Sequence, residues 1–457
     1  MLKLILISEL LGCELSSIMA ADISITGISI DSRNIQPGQL FCALHGDRFD
    51  GHAFIAEAVA RGASAVLCEN PLFLKGALAV PMLMVPSTLT ALTSIAKYYR
   101  QLITCPIIAL TGSNGKTTVK EMIAAMLPQP AYATPGNFNN HIGVPLSIMQ
   151  LNSEHRYAVF ELGANHAGEI DHTAAMLCPQ ITLINNIAPA HIAGFGTIDG
   201  VARAKGEIHA HLCVAGTAII NDDDAYAHFW DQVLLQRSVK VIRFSRMHVA
   251  DIYAKSIQYD SNFGAKFTLI SPKNEFEIKL QLPGEHTISN ALAAISCCYA
   301  LDIPIENIIA GLVGFRGVNG RMQFLSGAND ATIIDDTYNA NLYSVLAAIA
   351  VLVKRAGRRI LVLGDLGELG VFTAEHHEII GKQARIQGVD MLLTCGKYSE
   401  HSAKAFGKHA QHYLTKEELL PNLRNYLSQD TTILVKGSRS AAMEGIVHQI
   451  LSLKVEV

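Results

Sequence analysis

A glycine turn followed by lysine and threonine constrains what this chain of 457 residues can fold into more than any other feature does. The segment IIALTGSNGKTTVKEMIAAML (107–127) opens with an apolar run typical of a buried parallel strand, which we place at 106–110. Apolar residues then recur at the spacing of one helix face: Val119, Met122, Ile123 and Met126. A strand, a glycine turn and a helix in this order are typical of a phosphate-binding loop.

The residues of the turn indicate how such a loop binds. Gly112 and Gly115 let backbone N–H groups converge on an anion at the positive end of the helix. Lys116 can neutralise phosphate oxygens and the Thr117 hydroxyl can reach Mg²⁺, so ATP or GTP is the expected ligand. The usual motif has glycine where this chain has Leu110, and the match is to the shorter form T-G-x-x-G-K-T. An ordinary glycine-rich turn is the alternative.

Composition narrows the class of protein. The length predicts about three domains at ~150 residues each, and a chain with half of its residues hydrophobic and 17% charged should be compact. A net charge of −4 without a basic block makes duplex nucleic acid and anionic membranes unexpected partners. The nine cysteines, with no C-x-x-C among them, indicate buried thiols in a reducing cytoplasm. No apolar run approaches the ~18 residues of a membrane helix.

The order of predicted strands and helices differs between three regions of the chain. We therefore predict an α/β protein of three domains at 1–84, 85–318 and 319–457. The first is a small α/β domain with a strand at 39–44, followed by a polar turn at 46–51 that an ordinary surface turn would also explain. The second and third alternate strands and helices, as parallel sheets with crossover helices do. Central strands are predicted at 157–160, 181–185, 217–221 and 240–244, with an antiparallel appendage at 252–282. Strands of a separate Rossmann-like sheet are predicted at 332–335, 360–363, 391–394 and 432–435.

Two polar residues follow central strands at their carboxyl ends, where such sheets bind ligands. Glu161 ends the strand YAVFE, and His191 follows the strand ITLINNI in the segment APAHIAGFG. A carboxylate there is a suitable ligand for Mg²⁺, which favours oxygen donors. Imidazole is less expected beside so hard an ion, so a core or capping histidine is the alternative for His191.

Segments along nearly the whole chain resemble the Mur ligase family. They are TGSNGKTTVKEM, GNFNNHIGVPLS, ELGANHAGEI, NNIAPAHIAGFG, RAKGEIH, LPGEHTISNALAA, GRM, DDTYNAN, GDLGELG and LVKGSRSAAME. The phosphate loop alone is similar to a wider group that includes folylpolyglutamate synthases, whereas the order of the other segments resembles the dipeptide-adding type. Departures are small: Leu366 stands where the family often has methionine, and NANLYS where proline or a small residue often follows the second asparagine.

The resemblance implies ATP-driven amide formation by a cytoplasmic monomer. The γ-phosphoryl group would move to the free carboxylate of UDP-MurNAc-tripeptide, and the amine of D-alanyl-D-alanine would attack the acyl phosphate, completing the peptidoglycan precursor. Each step concentrates negative charge, so catalysis needs cations and positioning. ATP, two Mg²⁺ ions and a carbamylated lysine are implied as cofactors. The two substrates are the implied partners, without nucleic acid or membrane.

The resemblance also implies site residues. Those for ATP are Gly112, Ser113, Asn114, Gly115, Lys116, Thr117, Thr118, Asn290, Arg321, Asp336, Tyr338 and Asn339. Those for metal are Thr117, Glu161, His191 and Lys205. Those for the uridine diphosphate are Ser32, Arg33, Asp47, Arg48 and His52. The catalytic set is Lys116, Lys205 in its carbamylated form, His191 and Arg321.

Several of these roles have ordinary alternatives. Asn290 is implied to read adenine, but an asparagine in such a helix is more often solvated or a cap. Arg321 and Asp336 are implied to close over the γ-phosphate and ribose as the third region swings onto the second, yet Arg321 could be a surface charge. Lys205 is implied to carry a carbamate that offers oxygen to a second Mg²⁺; without the resemblance, a helix-surface lysine is expected.

Rival functions make different predictions. LVLGDLGELG imitates a dinucleotide fingerprint, but its glycines fall as G-x-x-G-x-x-G, and Asp365 sets a carboxylate where a pyrophosphate would approach. A nucleotide-hydrolysing switch would need a macromolecule to trigger turnover, whereas a ligase needs both a carboxylate donor and an amine acceptor. A sister ligase that adds a single amino acid is the nearest rival.

Overall fold

The structure, a computed structural model, describes residues 2–15, 22–46, 49–69, 79–189, 192–259 and 264–453. Three main sheets occupy successive parts of the chain, with four, nine and six strands. This confirms the predicted α/β class with three sheets, including the antiparallel appendage on the central one. None of the described helices is both long and apolar enough to cross a membrane.

The first sheet is small and parallel, with the order β3-β4-β7-β8. The elements of this part of the chain are β1 (Leu2–Lys3), α1 (Leu4–Leu11), β2 (Ser24–Ile25), β3 (Gly27–Ser29), β4 (Gln39–Cys42), β5 (His45–Gly46), β6 (Phe49–Asp50), α2 (Ile55–Ala60), β7 (Ala65–Cys68), β8 (Met82–Met84) and α3 (Thr88–Gln101). The predicted strand at 39–44 ends at Cys42, and the polar segment after it contains the antiparallel pair of β5 and β6.

The central sheet has nine strands, which include every strand predicted for the central region. Its elements are β9 (Ile107–Thr111), α4 (Lys116–Met126), β10 (Ala131–Ala133), α5 (Gly143–Ile148), β11 (Tyr157–Glu161), α6 (Glu169–Leu177), β12 (Ile181–Ile184), α7 (Ile192–Phe195), α8 (Ile198–Gly206), β13 (Thr217–Asn221), α9 (Asp231–Gln236), β14 (Lys240–Ser245), β15 (Ile252–Tyr259), β16 (Gly264–Ile270), β17 (Glu275–Pro283), α10 (Glu285–Ala300) and α11 (Ile305–Gly314). The strand order is β10-β11-β9-β12-β13-β14-β15-β16-β17. Strands β12 to β15 pair in parallel, and β15, β16 and β17 pair antiparallel.

The third sheet has the order β18-β19-β23-β20-β21-β22, with only β18 antiparallel. Its elements are β18 (Gln323–Ser326), β19 (Thr332–Asp336), α12 (Leu342–Leu352), β20 (Arg358–Gly364), α13 (Thr373–Gln387), β21 (Met391–Cys395), α14 (Glu400–Phe406), β22 (Ala410–Tyr413), α15 (Lys416–Arg424), β23 (Thr431–Lys436) and α16 (Glu444–Ser452). Ile360 and Val362 enter one buried cluster, while Leu361 and Leu363 enter another. The sheet is therefore buried on both faces, as its continuous apolar strands predict.

The chain forms two compact units. One comprises Met1–Ala109, Gln129–Gly163 and Asp171–Pro179, and holds the first sheet with β10 and β11. The other comprises Leu110–Pro128, Ala164–Ile170 and Gln180–Val457. It holds α4, the strands from β12 onward and the whole third sheet, and β9 contributes residues to both units. The phosphate loop and the third sheet thus belong to the same unit.

Candidate active site

The phosphate loop has the geometry that its sequence predicts. It joins buried strand β9 to helix α4, whose four predicted core residues are all buried. Gly115 lies at the start of α4 with a φ of +78°, in the left-handed region that favours glycine, and no acidic residue lies in the first turn of this helix. Lys116 is half-buried, and its Nζ donates to the Gly112 oxygen at 2.8 Å. The positive helix end and the ammonium group therefore face the same turn.

The segment after β12 holds this loop in place. Ser113 N–H donates to the Asn186 oxygen, and Asn114 N–H donates to Asn186 Oδ1, each at 2.9 Å. The Ser113 hydroxyl donates to the Ala188 oxygen at 2.9 Å and accepts from the Ala188 N–H at the same distance. Asn185 Nδ2 donates to the Asn114 oxygen at 2.9 Å. These hydrogen bonds hold the loop against the segment after β12, and a loop held by the protein itself costs less to order around a ligand.

Asn290 lies against the same loop. It is buried on α10, and its Oδ1 accepts from Asn185 Nδ2 at 2.9 Å. A Cβ at Gly115 would lie 2.5 Å from that oxygen, so only glycine fits there. The solvated alternative for Asn290 is wrong, because the side chain is part of the support of the loop.

Two residues of the third region contact the loop directly. Arg321 Nη2 donates to the Thr117 hydroxyl at 2.8 Å, and Asn341 Nδ2 donates to Asn114 Oδ1 at 2.8 Å. The guanidinium of Arg321 also stacks on the ring of Tyr338, 4.1 Å from its centroid. Arg321 therefore contacts the phosphate loop and is not an isolated surface charge. Asn341 was missed by the sequence reasoning, although it lies in the matched segment DDTYNAN and caps α12.

Asp336 ends β19 and is held by two groups. Its Oδ1 accepts from the Met322 N–H at 3.1 Å, and its Oδ2 accepts from Lys436 Nζ. Lys436 lies directly opposite on β23 and belongs to the matched segment LVKGSRSAAME, but the sequence analysis did not assign it a role. Tyr338 is half-buried and Asn339 is exposed. Three of the residues expected to meet the nucleotide, Asp336, Tyr338 and Asn339, thus lie in one turn, 336–339.

Glu161, in the other compact unit, is buried at the end of β11. Its Oε1 accepts from Asn139 Nδ2 at 2.9 Å, an amide from the matched segment GNFNNHIGVPLS. This hydrogen bond orients the buried carboxylate. His191, the other strand-end candidate, lies outside the described residues. Among the residues that the structure describes, no group of three or more His, Cys, Asp or Glu side chains could hold a metal ion.

Lys205 is only 1% exposed on α8, so the expectation of a surface lysine is wrong. One helical turn later, His209 is fully buried, with its Nδ1 2.9 Å from the Thr182 hydroxyl and its ring edge-on to Trp230. Burial lowers the pKa of His209 to about 3, so its ring is neutral at physiological pH. Trp230 also contacts the helix that carries Lys205, because its indole N–H donates to the Ala202 oxygen at 3.2 Å.

The predicted uridine diphosphate residues are spread over several local structures. Ser32 is buried, and its hydroxyl donates to Glu57 Oε2 at 2.9 Å. The exposed Arg33 pairs with Asp31 at 2.8 Å, and this hydrogen bonding lowers the pKa of Asp31 to about 2. His52 Nδ1 lies 2.6 Å from Asp50 Oδ1, while its Nε2 accepts from the Glu69 N–H. His52 therefore supports the fold of this region. Asp47 and Arg48 lie outside the described residues.

The carboxylate of Asp365 contradicts the dinucleotide-binding alternative. It accepts hydrogen bonds from the N–H groups of residues 397, 398 and 399 at 2.7–2.9 Å, and a Cβ at Gly396 would lie 2.5 Å from it. The segment GDLGELG thus uses its own carboxylate to fill a nest of backbone donors after β21.

Comparisons with known proteins identify the family. The Mur ligase family catalytic domain matches residues 24–100, the Mur ligase middle domain matches 110–298, and the Mur ligase glutamate ligase domain matches 320–439. The UDP-N-acetylmuramoyl-tripeptide--D-alanyl-D-alanine ligase of Escherichia coli K12 is 41% identical over 449 residues, covering 97% of this chain and 98% of that protein.

Solved structures match over the same extent. A crystal structure of MurF from Acinetobacter baumannii superposes with a TM-score of 0.89 at 34% identity, covering 98% of both chains. The MurF ligase of Thermotoga maritima, in complex with ADP, superposes with a TM-score of 0.80 at 25% identity, covering 94% of this chain and 98% of that one. Sequence motifs, fold and full-length similarity therefore agree that this chain belongs to the Mur ligase family, in its MurF type.

Proposed function

We propose that this protein joins D-alanyl-D-alanine to UDP-MurNAc-tripeptide at the expense of ATP, through an acyl phosphate, in the cytoplasm. The relatives named above carry this activity in their names, and they match the chain along nearly its whole length. The observation that carries the proposal is the contact of Arg321 with Thr117, which sets a third-region cation beside the phosphate loop. A phosphoryl group transferred there would meet positive charge from Lys116, Arg321 and the start of α4.

The loop fits a nucleotide triphosphate. Gly115 takes the positive φ that the turn requires, and Lys116 Nζ is held 2.8 Å from the Gly112 oxygen, within the same turn. We assign Gly112 to Thr118 to the phosphates, and Asn290, Asp336, Tyr338 and Asn339 to the nucleoside. Arg321 stabilises the charge of the transferring group.

The donor set also fits Mg²⁺, which prefers hard oxygen ligands. Thr117 offers a hydroxyl that faces the Arg321 cation in this structure, and Glu161 offers a buried carboxylate oriented by Asn139. When bound, Mg²⁺ would neutralise phosphate oxygens. We assign Thr117, Glu161, His191 and Lys205 to metal binding, the last as a carbamate. The burial of Lys205, which is only 1% exposed, supports an internal role for this side chain over that of a surface lysine.

The uridine diphosphate end of the donor substrate is assigned to the first sheet, with Ser32, Arg33, Asp47, Arg48 and His52 as candidates. The free carboxylate of the donor would accept the phosphoryl group, and the acceptor amine would then displace phosphate. The enzyme's own residues serve to hold both anions together and to exclude water, because a carboxylate and a triphosphate repel each other.

The decisive experiment combines purified protein, ATP, Mg²⁺ and UDP-MurNAc-tripeptide with a panel of D-amino acids and dipeptides. We expect phosphate release and a new amide only when D-alanyl-D-alanine is present. Product with single amino acids but not with the dipeptide would identify a sister ligase. Nucleotide hydrolysis that needs a macromolecule, and neither substrate, would reject the ligase assignment.

A further inference from the structure

The ammonium group of Lys436 connects both ends of one turn. Its Nζ donates to Asp336 Oδ2 at 2.5 Å, to the backbone oxygen of Asn339 at 2.9 Å, and to the backbone oxygen of Asp336 at 3.5 Å. An ammonium group has three N–H donors, so these acceptors use its full capacity. Lys436 therefore fixes the turn 336–339 to the neighbouring strand β23.

This ion pair is shielded from water. The side chain of Lys436 is 3% exposed and that of Asp336 is 12% exposed. A buried ion pair is poor evidence for stabilisation, because apolar residues of the same volume often serve stability as well or better. Its strongest effect is geometric: the short contacts leave the carboxylate and the Asn339 carbonyl little freedom.

The same turn positions the residues that meet the phosphate loop. Tyr338 N–H donates to the Gly320 oxygen at 3.0 Å, next to Arg321 in the chain. The ring of Tyr338 then supports the Arg321 guanidinium, which donates to Thr117. Asp336 Oδ1 holds the Met322 N–H on the other side of Arg321. A displacement of the turn would therefore displace Arg321 as well.

We propose that Lys436 is a positioning residue for the nucleotide. It does not need to touch the ligand. It holds Asp336 and the Asn339 carbonyl, on either side of Tyr338 in the turn. This turn places the Tyr338 ring under the Arg321 guanidinium that meets the phosphate loop. The inference rests on the proposed function, since it takes a nucleotide to bind against this loop and this turn.

The test is ADP affinity, measured by calorimetry on the full-length protein, because it does not depend on the ligation reaction. Lys436→Met removes the ammonium group but keeps an unbranched side chain of similar length. We expect ADP to bind ~10-fold or more weakly, since small misplacements of positioning groups have effects of this order. The KM for UDP-MurNAc-tripeptide should change less than twofold. Lys382→Met, an exposed lysine on α13, is the matched control and should leave both values unchanged.

A merely structural role would lower the melting temperature and leave the ADP affinity of the folded protein at the wild-type value, and that result would overturn the inference. If Lys436→Met does not fold, Lys436→Arg is the second variant, because it keeps the charge but cannot reproduce the three contacts of an ammonium group. Wild-type ADP affinity in Lys436→Arg would then overturn it. If the wild-type protein binds ADP but does not ligate, the proposed function is rejected. The comparison of ADP affinity between the variant and the wild-type protein would still decide the role of Lys436.

Discussion

Arg321 and Thr117 are 204 residues apart in sequence, yet the Arg321 guanidinium donates to the Thr117 hydroxyl at 2.8 Å. The phosphate loop contributes the hydroxyl, and the segment before β18 contributes the cation. The candidate site is therefore composite, because its two hydrogen-bonded groups come from different regions of the chain.

Replacing Arg321 should impair the reaction. Arg321→Ala removes a charged donor beside the loop, and we expect kcat to fall by ~100-fold, the usual effect of losing one such donor. Arg321→Lys keeps the charge but loses the planar stack on Tyr338, so its activity should be intermediate. Steady-state kinetics of both variants check this. Arg316→Ala, an exposed neighbour, is the control. Near-normal activity of Arg321→Ala would remove Arg321 from the site.

Lys116→Ala should abolish ligation with a smaller effect on tripeptide binding. The ammonium group sits at the start of α4, where its charge matters most as charge shifts on the transferring phosphoryl group. Single-turnover kinetics and tripeptide affinity are the measurements. The assignment of Lys116 would be abandoned if the variant kept more than about a tenth of the wild-type kcat, a loss worth only ~1.4 kcal/mol.

Lys205→Ala should be nearly inactive and partly rescued by formate or acetate, which can replace the missing carbamate oxygens. The buried position of Lys205 gives a small carboxylate a defined place to occupy. Rescue is measured as the rise of kcat with carboxylate concentration, and the carbamate itself as a ¹³C resonance after labelling with ¹³CO₂. Lys382→Ala, at an exposed helix position, serves as the control. Normal activity of Lys205→Ala together with an unlabelled wild-type protein would contradict the modification.

His209 should make the protein sensitive to acid. Burial lowers its pKa in the folded protein to about 3, below the ordinary histidine value of about 6.5, so between these pH values the unfolded chain binds more protons than the folded one. The contribution of neutral His209 to the free energy of unfolding is therefore fully present above about pH 6.5. It falls as the pH is lowered, by at most ~1.4 kcal/mol per pH unit. His209→Leu should show a shallower loss of unfolding free energy between pH 7 and pH 5. Urea denaturation at several pH values measures it, and equal slopes in the two proteins would refute the role of His209.

Much of the fold could be predicted because its strands are local apolar patterns. The predicted strands of the central and third sheets agree with the structure to within about two residues, and the residues of α4 show the predicted buried face. The phosphate loop could be predicted equally well from the sequence, since its glycines, lysine and threonine act within one turn of the chain. The predicted ends of strands were less accurate than their centres. The strand predicted at 39–44 ends at Cys42, because strand ends depend on hydrogen bonds to neighbouring strands.

The sequence by itself determined the phosphate loop, the three-sheet α/β order and, through its motifs, the family. Only the tertiary structure decided which side chains of distant segments share the site. Asn341 against Asn114, Asn139 against Glu161 and Lys436 against Asp336 are contacts between residues far apart in the chain. The burial of Lys205 was likewise decided by packing, since a lysine on a helix does not reveal from its own sequence which face the rest of the protein will cover.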